Sequence, residues 1–194
     1  AILYASRLKK FNGSTYKYVA IYLIVLFLVE FPCNIIGYLN PDQNFYLSHF
    51  YFNAQFILLS IVFYRLFESK IIKRLVIANY VVITTVIITM YLNDPSLIWQ
   101  FNLFEITATS AVLIVYALIQ LFNTLGKEKK YFYLSIGLMV YLLCSSLIFL
   151  SGNYELVFIE DPRIDIWIFN TLFYIVYQVL IFVEWRYINK HGLR

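Results

Sequence analysis

Six blocks of about twenty mostly apolar residues, joined by short polar connections, constrain this chain more than anything else in it. A helix needs ~20 such residues to cross the ~30 Å hydrocarbon core of a bilayer, because each residue adds ~1.5 Å of rise. The blocks fall at about 18–39, 47–66, 71–92, 98–123, 131–151 and 164–187. None alternates polar and apolar residues as a membrane-barrel strand does, so strand-type spanning is excluded. Only 13% of the 194 residues are charged, about half the share a soluble domain uses to solvate its surface. The sequence therefore predicts an all-α, polytopic transmembrane helix bundle, a single domain over residues 1–194 with six complete spans. The opening AILYASRLKK reads as the inner end of a truncated further span, with a short interfacial segment as the alternative.

Basic residues mark the side of the membrane that is not translocated. Four segments hold 14 of the 15 lysines and arginines: Arg7 to Lys17, Arg65 to Arg74 around the FESKIIKR turn, GKEKK, and the tail from Arg186 onward. The alternate connections, NPDQN, NDPS and SGNYELVFIEDPRID, carry acids and a single Arg163. This pattern predicts a plasma (inner) membrane protein with both visible ends in the cytoplasm. It also makes the net charge of +4 a topology signal. A nucleic-acid groove would gather its cations in one exposed segment, so no nucleic-acid partner is expected. Trp99, Trp167 and Trp185, with tyrosines such as Tyr46 and Tyr91, fall at block ends and read as interfacial anchors.

Ionisable groups within spans are costly and need a reason. Glu30 lies ~18 Å from the cytoplasmic end of its block and Glu105 ~10 Å from the outer end of its own, counting by helical rise. Glu30 and Asn34 are spaced i,i+4 around Pro32, and His49 and Asn53 share the same spacing on the next block. Asn102, Glu105 and Thr109 fall at i, i+3 and i+7, and Asn170, Tyr174 and Gln178 at i, i+4 and i+8. Four helices thus present polar stripes in the outer half of the membrane. These ten residues are the candidate ligand-binding set, forming an outward-facing polar pocket for a small ligand, cation or proton. The competing reading makes the amides interhelical glue and the acids protonated and hydrogen-bonded. Glu184, beside Trp185 and Arg186, reads as pairing with nearby basic groups.

Several chemistries are set aside. No lysine lies mid-membrane for a Schiff base, and His49 and His191 lie on opposite sides, which rules out bis-His haem. Cys33 and Cys144 are isolated, giving neither a CxxC pair nor a zinc site. No catalytic residue, metal site or cofactor is expected, and the reading is of a non-enzyme.

The stretches LSIGLMVYLLCSSLIFLSGN, IFNTLFYIVYQVLIFVEW and FILLSIVFYRLFESKIIKR resemble small uncharacterised seven-helix membrane proteins of bacteria. Such proteins look like the membrane halves of sensory systems, some beside or fused to histidine kinases. The resemblance implies a sensor or receptor-like signalling module, with the bilayer and a membrane or cytoplasmic signalling protein as partners. The alternatives are a small transporter or proton-coupled carrier, or an accessory subunit of a larger membrane complex. The orientation has a direct check: a membrane-impermeant amine reagent applied to intact cells should leave Lys127, Lys129 and Lys130 unlabelled until the membrane is permeabilised.

Overall fold

The computed structural model describes residues 1–11, 14–39, 45–100, 102–126, 130–153 and 166–192. Among them are seven α-helices: α1 (Ile2–Ala5), α2 (Thr15–Leu39), α3 (Phe45–Leu66), α4 (Lys70–Asn93), α5 (Leu103–Asn123), α6 (Phe132–Asn153) and α7 (Ile166–His191). A 3₁₀ turn at Pro95–Trp99 follows α4, and no strand occurs among the described residues. Helices α2 to α7 are each long and apolar enough to cross a membrane. The all-α, multi-span architecture expected from the sequence is what the chain adopts.

The helix boundaries follow local chemistry. Ser69 caps α4 by accepting from the Ile72 N–H, satisfying one of the donors a helix start leaves unpaired. Asp94 ends α4 and starts the next element, its Oδ1 accepting from the Ser96 N–H (3.1 Å) and the Ser96 hydroxyl (2.6 Å). Pro95 then takes the first position of the 3₁₀ turn, where a missing N–H costs nothing. The expected span beginning near 98 is corrected here. Residues up to Trp99 belong to the turn, Gln100 is extended, and α5 begins only at Leu103. Glu105 therefore sits in the first turn of its helix and not ~10 Å inside it.

Close contacts group the chain into two compact units, Ala1–Thr109 and Ser110–Arg194. In the first, α2 packs along α3 and α4 follows through the basic turn. α2 buries Val19, Ala20, Leu23 and Leu26, and α3 buries Phe56, Leu59, Val62 and Phe63. The buried Gln55 amide bridges the two helices to the Tyr22 hydroxyl at 3.4 Å. Helix α1 lies against the start of α2, with the Tyr4 and Tyr16 rings stacked at 4.9 Å and the Tyr16 hydroxyl donating to the Tyr4 carbonyl. α4 leaves Leu75, Val81, Val82, Ile88 and Leu92 exposed. A water-facing helix would bury such a surface, whereas lipid tails accept it at no cost.

In the second unit α6 and α7 run antiparallel and close together. A Cβ on Gly137 would stand 3.0 Å from Leu180 Cβ and 3.1 Å from Tyr177 Cδ2, so the absent side chain is what permits the approach. Further along, Tyr141 stacks on Tyr177 at 5.5 Å and meets Tyr174 edge-on at 5.6 Å.

Glu184 on α7 corrects a second expectation. It is fully buried, and among the described residues it forms no ion pair. Its carboxylate accepts the N–H groups of Tyr131 (2.8 Å), Tyr133 (2.9 Å) and Leu134 (3.3 Å). These are the unpaired donors at the start of α6, where the helix dipole also favours negative charge. Tyr131 precedes α6 with φ of 58°, a left-handed conformation costing a side-chain-bearing residue about 1 kcal/mol or more. The bonds to Glu184 offset that cost. Replacing Glu184 by Leu should lower stability by about 2–4 kcal/mol, since three backbone N–H groups, two of them buried, lose their acceptor, and Glu184→Gln should cost less. Reversible unfolding in mixed micelles measures both.

Candidate functional site

The first unit holds a buried polar cluster built around Glu105. Asn102, just before α5, accepts the Glu105 N–H on its Oδ1 at 3.2 Å. The segment NLFE thus has the spacing of a capping box, in which the glutamate side chain would reach back to the cap. Here the carboxylate instead takes donors from two other helices. Asn53 Nδ2 on α3 lies 2.5 Å from Oε1. His49 Nδ1, also on α3, lies 2.7 Å from Oε2, and the Tyr91 hydroxyl at the end of α4 lies 2.5 Å from the same oxygen. Glu105 is 0% exposed, His49 8% and Asn102 4%, while Asn53 and Tyr91 are half-buried, so these bonds replace water entirely for the acid and almost entirely for His49 and Asn102.

The neighbours are cross-braced. Tyr91 Oη stands 2.8 Å from His49 Nδ1, with the two rings edge-on at 5.3 Å. Asn102 Nδ2 reaches the Tyr91 hydroxyl at 3.5 Å, and Asn53 Nδ2 also donates to the His49 carbonyl at 2.9 Å. Thr109 donates its hydroxyl to the Glu105 carbonyl at 2.7 Å. With its proton on Nδ1, His49 donates to Glu105 and presents a lone pair at Nε2. That nitrogen is buried and has no hydrogen-bond partner. A carboxylate on one ring nitrogen fixes the tautomer and the orientation of the ring. The cluster can therefore accept a hydrogen bond at Nε2, or act there as a single ligand atom.

Of the four expected stripes, two combine: His49 and Asn53 with Asn102, Glu105 and Thr109. Glu30 is half-buried on α2, and exposed Asn34 turns its amide onto the Glu30 carbonyl at 2.9 Å, a bond along its own helix. Asn170, Tyr174 and Gln178 belong to the second unit, where Tyr174 packs on Tyr141 and the buried Asn170 Oδ1 lacks a partner. The sequence reading missed Tyr91, taking it for an interfacial anchor. Its place at the outer end of its block, level with His49 and Glu105, was the available signal. No group of three His, Cys, Asp or Glu residues placed for a metal occurs among the described residues.

No family model, curated protein or solved structure matches the chain. The geometry of the cluster is what bears on function.

Removing one member of a buried hydrogen-bonded pair leaves the other unsatisfied, at a cost of about 3–5 kcal/mol when a charge is stranded. His49→Ala and Glu105→Ala should each destabilise the protein by about 3 kcal/mol, and the double variant by clearly less than the sum. Tyr91→Phe should cost about 1–2 kcal/mol. Unfolding in bicelles, analysed as a double-mutant cycle, reads the coupling.

Proposed function

We propose that this multi-pass membrane protein is a non-enzymatic sensor or receptor-like module whose responsive centre is the Glu105–His49–Tyr91–Asn53 cluster. The observation that carries this reading is the orphaned Nε2 of His49, buried beside a carboxylate that ties α3, α4 and α5 together. A purely structural hydrogen-bond hub has no use for a buried acceptor left empty, because an unsatisfied polar atom costs stability without return.

The positive-inside pattern supports placing this end of the helices outside the cytoplasm, in a plasma membrane. A proton, a small cation or a hydrogen-bonding ligand arriving there would engage Nε2 and alter how His49 and Tyr91 share Glu105 Oε2. Helix packing then shifts only insofar as the ligand binds one arrangement better than another. The output passes to a membrane or cytoplasmic partner.

A second reading, a proton-coupled carrier, draws on the same acid–imidazole pair, which suits proton exchange within a span. The two separate in one experiment. Trp99 packs on Tyr46 of α3 at 5.8 Å, one helical turn from His49, and a W167F/W185F background leaves it as the sole tryptophan of the three. In proteoliposomes, an external pH step, Zn²⁺ or methylammonium should change Trp99 emission, and His49→Gln should abolish the response. Emission unchanged by all three probes would remove the sensor reading. Uptake of protons or methylammonium into the vesicles would favour the carrier.

A further inference from the structure

At the far end of α3 from His49, a groove of about 480 Å³ opens between α3 and α4. Ile57 and Ile61 on one helix and Val76, Ile77 and Tyr80 on the other form its walls. The volume is in the range of small-molecule sites, and the lining is almost wholly apolar. Ile61 and Ile77 are themselves exposed, so the groove is open along its length to whatever surrounds the helices.

Two polar features break the apolar surface, and they differ in kind. Ser60 lines the groove, is only 4% exposed, and its Oγ has no hydrogen-bond partner. A serine within a helix ordinarily turns its hydroxyl back onto the carbonyl one turn earlier, and this one does not. Arg65 and Tyr64 lie at the end nearest the basic turn. The Arg65 guanidinium rests over the Tyr18 ring at 4.2 Å and donates to the Tyr18 hydroxyl at 2.9 Å. It is held in place with further N–H groups to spare, since a guanidinium carries five. Lys73 Nζ stands 5.3 Å from the Tyr64 ring centre. Between Arg65 and Arg74 the chain carries four basic residues against the single Glu68, and no ion pair involves any of them among the described residues.

An occupant must then be apolar along one part, anionic at one end, and able to accept a hydrogen bond between the two. Ser60 lies five residues from Arg65, ~7.5 Å along the helix axis, comparable to the distance between the phosphate and the acyl ester carbonyls of one glycerophospholipid. We propose that this groove binds a single anionic phospholipid. Its phosphate meets Arg65 and Lys73, an ester carbonyl accepts from Ser60 Oγ, and an acyl chain lies between Ile57 and Ile61 on α3 and Val76 and Ile77 on α4. Basic residues at a membrane surface already attract anionic headgroups without specificity. The groove and its buried serine are what turn that attraction into a site.

Native mass spectrometry of the full chain, released from micelles containing equal phosphatidylglycerol and phosphatidylcholine, tests this. The wild type should retain one phosphatidylglycerol in preference to phosphatidylcholine. Arg65→Gln with Lys73→Gln should weaken retention about tenfold. Ser60→Ala should weaken it about threefold. Ile61→Trp fills the groove and keeps every cation, so it should weaken retention as much as the double variant. Ile77→Trp, at an exposed position on the other wall, serves the same purpose should Ile61→Trp fail to give the wild-type helical circular dichroism. A groove-filled, folded variant that retains phosphatidylglycerol like the wild type would overturn the proposal, leaving only a basic surface. Displacement of the lipid by inorganic phosphate at equal concentration would overturn it too, leaving an anion site without a lipid.

Discussion

A carboxylate taken out of water must find its hydrogen-bond donors in protein, and hydrocarbon offers none. That requirement organises the first unit. Glu105 draws His49 and Asn53 from one helix and Tyr91 from another, while Asn102 fixes the turn on which it stands. The apolar faces of α3 and α4 could pack in several registers of similar energy, because lipid tails solvate them as well as a neighbouring helix does. The polar cluster selects among those registers, since only one arrangement delivers three donors to one acid.

Glu184 meets the same demand by a different route. Its donors are three backbone N–H groups at the start of α6, which cannot rotate away. Those of Glu105 are side chains, which can. The contrast separates an acid used as a fixed clamp from one placed where its partners can be rearranged. Only the second is suited to respond to anything.

The sequence made the spans legible because the physics behind them is one-dimensional: length and apolarity alone decide whether a segment can cross. The pairing of His49 and Asn53 with Glu105 was legible to a lesser degree, through i,i+4 spacing and comparable depth. Tyr91 and the backbone role of Glu184 were not. A tyrosine near a block end suits an interface equally well, and no spacing rule says which helix start a distant acid will cap. The later start of α5 was hidden for a similar reason. Leu97, Ile98 and Trp99 are apolar enough to extend a hydropathy block, yet Asp94 and Pro95 bend them into a 3₁₀ turn. At Glu30 and Asn34 the i,i+4 spacing also serves a bond along their own helix, from the Asn34 amide to the Glu30 backbone carbonyl.

The order in which the cluster leaves the ribosome follows from its numbering. His49, Asn53 and Tyr91 are synthesised first and Glu105 last, and chains are made from the N-terminal end. During insertion the earlier three lack their acceptor, so the α3–α4 hairpin enters the bilayer with its polar groups still open to exchange. The 14-residue separation of Tyr91 from Glu105 makes their contact a cheap loop to close, whereas His49 must be met across 56 residues. Assembly of this unit is thus completed by its final turn of helix, and a chain stalled before α5 would lack the acid that selects one register for α3 and α4.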